Sequence, residues 1–281
     1  MIFNINSSNE STATDEIYMC NSIDDNIKLS DMAKTWLEGG NDYFIKTVKI
    51  IGNLVISKPH SGTGTSSDKY KFFQLGLQEK ATRKIIFDFA ECTQIVPVLE
   101  DNNYYVLFGG NQIYVKNVNV LMENESAHSM IFDNNASYVY CENARIQLTG
   151  NKLSCISYTG DFINCVANCT SSDELSVCFH VVSSSILKVF GGEYYAYVKN
   201  DVSTNKSVAF NFANSGIGVG LIEYVSCPQV AKTGYKQTNL IVHSSGGYAS
   251  LVGVISTLTA TVNENIAHIT NKIAMTKPLL W

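Results

Sequence analysis

Proline is scarce in this 281-residue chain, with 4 residues, and tryptophan scarcer, with 2. So few prolines leave no proline-rich segment to act as an extended spacer. No run approaches the roughly 20 apolar residues of a membrane span. Basic residues form no block: 20 Lys and Arg stand against 25 Asp and Glu, a formal charge of -5. Without a basic patch, nucleic acid is not an expected partner. The segment Met1 to Cys20 is polar and acidic, with neither a basic n-region nor an apolar h-region, so a secretory leader is not expected.

The eight cysteines are not spaced as a zinc site. Cys165 and Cys169 form a Cys-x3-Cys pair, His180 is distant, and no second pair follows. No metal and no cofactor is expected. Cys141, Cys155, Cys165 and Cys178 sit instead in apolar stretches, where a reduced thiol behaves as a small hydrophobe.

What is abundant are strand formers, with 15 Tyr and 13 Phe beside many Val and Ile. They are organised by a repeat. Tyr105-Val106-Leu107, Met130-Ile131-Phe132, Cys155-Ile156-Ser157, Cys178-Phe179-His180, Phe210-Asn211-Phe212 and Leu240-Ile241-Val242 are short apolar cores. They recur roughly every 25 residues and later roughly every 30, the period of a stacked repeat whose units cannot bury an apolar face alone. A second strand follows each core: Ile113-Tyr114-Val115, Val139-Tyr140-Cys141, Phe162-Ile163-Asn164, Ile186-Leu187-Lys188, Leu221-Ile222-Glu223 and Leu251-Val252. In the clearest repeats a bend and a third strand come next, after Asn117, Asn143 and Gly191-Gly192, and Asn168 is the expected corner of the repeat between the last two. Asn and Gly tolerate the left-handed backbone, so one bend recurs. Three short strands per repeat predict an all-β, three-faced solenoid.

Three units follow. Residues 1–45 form an N-terminal arm, polar over 1–25, and a short helix capped by Ser30, with Asp31 in its first turn and Gly39-Gly40 at its end. Met32, Trp36 and Leu37 fall near one face, suited to covering the open end of the stack. Residues 46–262 carry the strands, beginning with Val48 to Ile56 and resuming with Ile85, Phe87 and Phe89 in alternation. The Gly62-Thr63-Gly64-Thr65 loop lacks the Lys-Ser/Thr and the helix of a phosphate-binding loop, so it reads as a surface loop. The longer intervals place protruding loops at Lys199 to Val208 and Ser226 to Asn239. Residues 263–281, with Ile266, Ile269, Ile273 and Trp281, read as a C-terminal cap or oligomer contact.

On its repeat period, corner Asn and Gly residues and early short helix, the region 46–262 resembles the right-handed parallel β-helix superfamily of pectate lyases and phage tailspikes. Within it the chain looks most like a bacteriophage tail fibre, tailspike or appendage. That resemblance implies a homotrimer in the virion, attached to other virion proteins through its N-terminal region and binding a host cell-surface polysaccharide. Enzymatic members cleave polysaccharide with paired carboxylates or with calcium and a basic residue. This chain has neither Arg-x-Pro-x-x-Arg nor Asp-Gly-Asp. Its weak catalytic candidates are Asp133, Glu142, Asp161 and His180. Sugar binding draws on aromatics: Tyr114, Tyr140, Tyr158 and Tyr195 recur over successive repeats, and outward tyrosines offer flat apolar rings with a hydroxyl. Three classes compete: a glycan-binding appendage, a polysaccharide-degrading enzyme and an architectural assembly protein.

Overall fold

The computed structural model describes residues 16–39, 44–76, 83–151, 153–173, 175–182, 184–199, 206–212, 218–243, 247–256 and 258–262. Strands dominate, and Asp25–Glu38 is the one helix among the described residues. The sheets are long and parallel, as expected of an all-β chain built on a repeat. One run follows chain order through Glu16–Cys20, Phe44–Gly52, Arg83–Cys92, Gln112–Lys116, Tyr138–Glu142, Gly160–Ser171, Ile186–Lys199, Gly218–Glu223 and Gly247–Val252. A three-stranded sheet joins Tyr70–Gln74, Tyr104–Gly109 and His128–Phe132. A five-stranded sheet joins Leu153–Ser154, Leu175–Val181, Lys206–Phe212, Asn239–His243 and Thr259–Val262. These two carry the apolar cores from which the repeat was read, bridged by Met130 beside Cys155 and Ser157 beside Phe179.

Gly160–Ser171 and Ile186–Lys199 are long enough to serve two runs. Their first halves continue the nine-strand run. Their second halves lie beside Arg145–Gly150, itself paired with Asn119–Glu123, and beside Ser226–Cys227. The bend between the halves is a registered column of left-handed residues: Asn117 (φ 57), Asn143 (φ 54), Asn164 (φ 51), Gly191 (φ 68), Tyr224 (φ 54) and Gly253 (φ 61). Asn143 Nδ2 donates to Asn117 Oδ1 at 3.3 Å, and Asn117 Nδ2 to Asp88 Oδ1 at 2.7 Å, so the column is also a side-chain ladder. Asn168 is not its member, contrary to expectation. Pairing of Glu142 with Ile163 sets Asn164 beside Asn143, while Asn168 lies in mid-strand between Gln147 and Tyr195. At Gly192 (φ 93) a Cβ would meet the Cys165 carbonyl oxygen at 2.0 Å, so a side chain is excluded by both backbone and space.

Inward alternate residues make one main core, and Val106, Met130, Cys155, Val177 and Val208 form a smaller separate cluster. Phe73, Phe108 and Phe132 share a register position, and Phe179 stacks on Phe210 at 5.6 Å and 7°. Cys141, Cys155, Cys165 and Cys178 are buried free thiols, as the sequence indicated. Cys165 Sγ sits 3.9 Å from Cys141 Sγ, inside the core.

The helix begins earlier than its sequence signal. Its buried stripe includes Leu29, Ala33 and Leu37, and Asn26 anchors it by donating to the carbonyls of Lys58 (2.9 Å) and Phe72 (2.8 Å). Ser30 is therefore buried in the second turn, donating to the Asn26 carbonyl and accepting from the Gln74 N–H, rather than capping the start. Asp24 takes the N-cap position (φ 63), and Asp31 lies beyond the first turn. Gly39 does end the helix. The polar arm is corrected too: Glu16–Cys20 is a strand parallel to Phe44–Gly52, with Cys20 fully buried. Residues 1–15, Gly40, 200–205 of the first long loop and 263–281 lie outside the described residues.

Candidate functional site: an outward tyrosine and carboxylate face

Period-two alternation sorts the nine-strand run into two faces. In Gln112–Lys116 and Tyr138–Glu142, Ile113, Val115, Val139 and Cys141 point into the core, leaving Tyr114, Lys116, Tyr138, Tyr140 and Glu142 outward and half-buried. Tyr114 pairs with Tyr140 in register, and Tyr140 with Asp161. The ring of Tyr114 lies 5.7 Å from that of Tyr138 and 6.5 Å from that of Tyr140.

Each of the two flanking tyrosines is tied to an acid. Tyr138 Oη donates to Asp161 Oδ2 at 2.9 Å, and Tyr140 Oη to Glu142 Oε2 at 2.8 Å. Each acid also meets a lysine: Lys116 Nζ lies 2.9 Å from Glu142 and Lys188 Nζ 3.9 Å from Asp161. Lys116 doubles as a ring partner, its Nζ 5.8 Å from the Tyr140 centroid, and Lys84 Nζ lies 5.4 Å from that of Tyr114. Burial and then the carboxylate bonds push the Tyr138 and Tyr140 hydroxyls far above the usual phenol range, so both remain donors. For Glu142, burial pulls upward but the Lys116 and Tyr140 hydrogen bonds outweigh it, and the carboxyl is held below its usual value.

The chemistry this permits is recognition more than turnover. Glu142 and Asp161 stand diagonally on neighbouring strands, a step of about 8 Å in sheet geometry. Two carboxylates on one face are the raw material of paired-carboxylate hydrolysis, but the acid partner needs a raised pKa, which an apolar pocket supplies. Here both carboxylates face lysines on an open surface, and Glu142 is kept ionised.

The remaining sequence candidates lie elsewhere. Asp133 is buried (5% exposed) at the end of His128–Phe132, where it accepts from the Asn135 N–H and faces Lys71 at 3.6 Å, the role of a turn residue. His180 lies on the five-stranded sheet with Nδ1 3.1 Å from Asn211 Nδ2, and burial lowers its pKa. Tyr158 packs its ring 5.1 Å from His180 and against the small cluster of Val106, Met130, Cys155, Val177 and Val208, with burial raising its pKa. Tyr195 is on the other run, donating to Glu193 Oε2 at 2.8 Å, its pKa pushed up to about 12 by burial and that bond. Glu142, Asp161, Tyr114 and Tyr140 thus come together, and Asp133, His180, Tyr158 and Tyr195 do not join them. Lys116 and Lys188 were missed, although Lys116 stands two residues after Tyr114 and so shares its face. Compared with protein-family models, with curated proteins and with solved structures, the chain matches none.

Proposed function

We propose that this chain is a right-handed parallel β-helix, a trimeric phage appendage protein that binds a cell-surface glycan through the Tyr114, Tyr138 and Tyr140 face. Three features support the helical reading: parallel pairing of every repeat with the next, two runs meeting at one recurrent left-handed corner, and a main core shared by residues from successive repeats. Right-handedness follows from the strong preference of parallel crossover connections.

The observation that carries the binding reading is the outward cluster of Tyr114, Tyr138 and Tyr140, in which the Tyr138 and Tyr140 hydroxyls are fixed on Asp161 and Glu142. Rings held in place lose little entropy on binding, and the carboxylates and lysines offer acceptors and donors to sugar hydroxyls. Affinity per site is modest and is raised by copy number. A glycan array probed with the full-length protein tests this. Wild type retains at least one oligosaccharide, and Tyr114→Ala with Tyr140→Ala loses it while keeping the β spectrum. No retention of any glycan by wild type overturns the reading. Light scattering tests the trimer, whose mass is three times the 30.9 kDa of the chain.

The diagonal pair Glu142 and Asp161 favours one second reading, hydrolysis of a polysaccharide on the same face. Release of reducing ends that Glu142→Gln abolishes would establish it.

A further inference from the structure

The second run hides a tyrosine that its register places outward. In the second half of Ile186–Lys199, Tyr194, Ala196 and Val198 point into the core, and Glu193, Tyr195, Tyr197 and Lys199 alternate with them. Tyr197 is nevertheless only 3% exposed. Residues 228–238 cover it. Tyr235–Lys236 pairs antiparallel with Val198 and Lys199, the one antiparallel strand pairing among the described residues. Lys232 Nζ sits 5.2 Å from the Tyr197 centroid and 4.5 Å from that of Tyr235, and donates to Thr170 Oγ1 at 2.9 Å.

This segment is held without an apolar anchor, since none of residues 228–238 is buried. Its C-terminal end is pinned to buried Ser207, which bonds the Lys236 carbonyl and, three times over, Thr238. From there its reach across the surface ends on one carboxylate, far away in sequence. Glu125 accepts from Tyr235 Oη on Oε1 and from Lys199 Nζ on Oε2, both at 2.6 Å. The turn carrying Glu125 is fixed independently, because its main-chain oxygen accepts from Ser172 Oγ at 2.6 Å. Segments with few buried contacts open locally at low cost.

We propose that residues 228–238 are a strap hinged on Ser207 and latched on the Glu125 carboxylate, and that neutralising this carboxylate lets the strap swing off and uncovers Tyr197. Tyr195 and Tyr197 are parallel within 3° at 6.5 Å, so opening presents an aromatic pair beside Asn168 and Thr170. The groups facing the latch are Lys199, Tyr235 and Lys232, with Glu123 nearby on Asn119–Glu123 bonded to Gln147. The Lys199 and then the Tyr235 hydrogen bond hold the Glu125 carboxyl below its usual value. A lowered carboxyl pKa gives a latch intact above the unfolded value, about 4.3, and lost as pH falls through the folded one.

Hydrogen exchange read by mass spectrometry on the full chain tests this. Glu125→Gln at neutral pH raises exchange over 228–238 about tenfold, as loss of a charged hydrogen bond does. Tyr235→Phe, which removes the strap's own bond to Glu125, does the same, the double variant adds little more, and strands Gly160–Ser171 and Gly218–Glu223 keep wild-type protection in all three. Trypsin cleavage after Lys232 rises in parallel. Unchanged protection of the strap in both single variants overturns the proposal, and so does loss of protection throughout the strands, which makes Glu125 a support of the whole fold. If Glu125→Gln does not fold, the Tyr235→Phe result decides alone.

Discussion

Tyr140, Asp161, Lys188, Leu221 and Ser250 occupy one registered column on the outward face of the long run, and the column changes character along its length. Towards the N-terminal strands the face is tyrosine, acid and lysine, with the Tyr138 and Tyr140 hydroxyls each bonded to a carboxylate. Towards the C-terminal strands it is apolar: Ile186, Phe190, Val219, Leu221 and Tyr224 are all exposed, with Phe190 edge-on to Tyr224 at 5.6 Å. The inward residues do not change in the same way, since Val139 and Cys141 give way to Leu187, Val189 and Ile222, all buried. Backbone pairing and core set the stack in both halves and leave the outward positions free. Function is therefore to be sought where those positions are chemically organised, which is the first half.

The comparison is sharpened first by its common element. Phe162→Ala, beneath the polar half, removes a buried ring packed on Phe132 and Phe179 and costs about 3–5 kcal/mol. Ile222→Ala, beneath the apolar half, costs about 2–5 kcal/mol. Urea denaturation measures both, and a half that tolerated its deletion would break the idea of one shared core. Next comes the corner. Asn143→Ala places a Cβ-bearing residue without a side-chain partner at φ 54 and costs about 1–2 kcal/mol, whereas Asn143→Gly recovers most of it.

Tyr140→Phe removes one bond to a half-exposed carboxylate and costs about 0.5–1 kcal/mol. Its sharper signature is the pH dependence. Glu142 titrates below its usual value in the folded chain, so its contribution is present above the unfolded carboxyl pKa and lost as pH falls through the folded one. In Tyr140→Phe the Glu142 pKa rises and that loss moves to higher pH, which a side-chain carboxyl NMR titration reads directly. The smallest effect is on the apolar half, where Leu221→Lys on an exposed, unbonded position changes stability by no more than about 0.5 kcal/mol.

The stack was legible because inward residues are forced. Ile113, Val115, Val139 and Cys141 must alternate to be buried, and Asn117 and Asn143 must be residues that accept a left-handed corner. Tyr224 shows the limit, a corner residue that no sequence rule selects. The helix start was misread because Ser30 resembles a cap, and the bond that buries it, from the Gln74 N–H, comes from a strand 44 residues away. The site was half legible. Tyr114 and Tyr140 follow from the repeat, but that Tyr138 meets Asp161, and Lys188 the same acid, depends on a register that spacing of roughly two dozen residues leaves open by one or two positions. Tyr195 and Tyr158 looked equivalent to them, yet packing assigned one to another run and the other to a buried cluster.

The most direct test is an NMR titration of the full-length protein, with labelled tyrosine and phenylalanine rings, against an oligosaccharide retained on the array. The expected result is movement of the Tyr114, Tyr138 and Tyr140 signals, with Phe190 and Tyr224 unmoved. Movement confined to Phe190 and Tyr224, or none at saturating sugar, would contradict the assignment of binding to the tyrosine and carboxylate half.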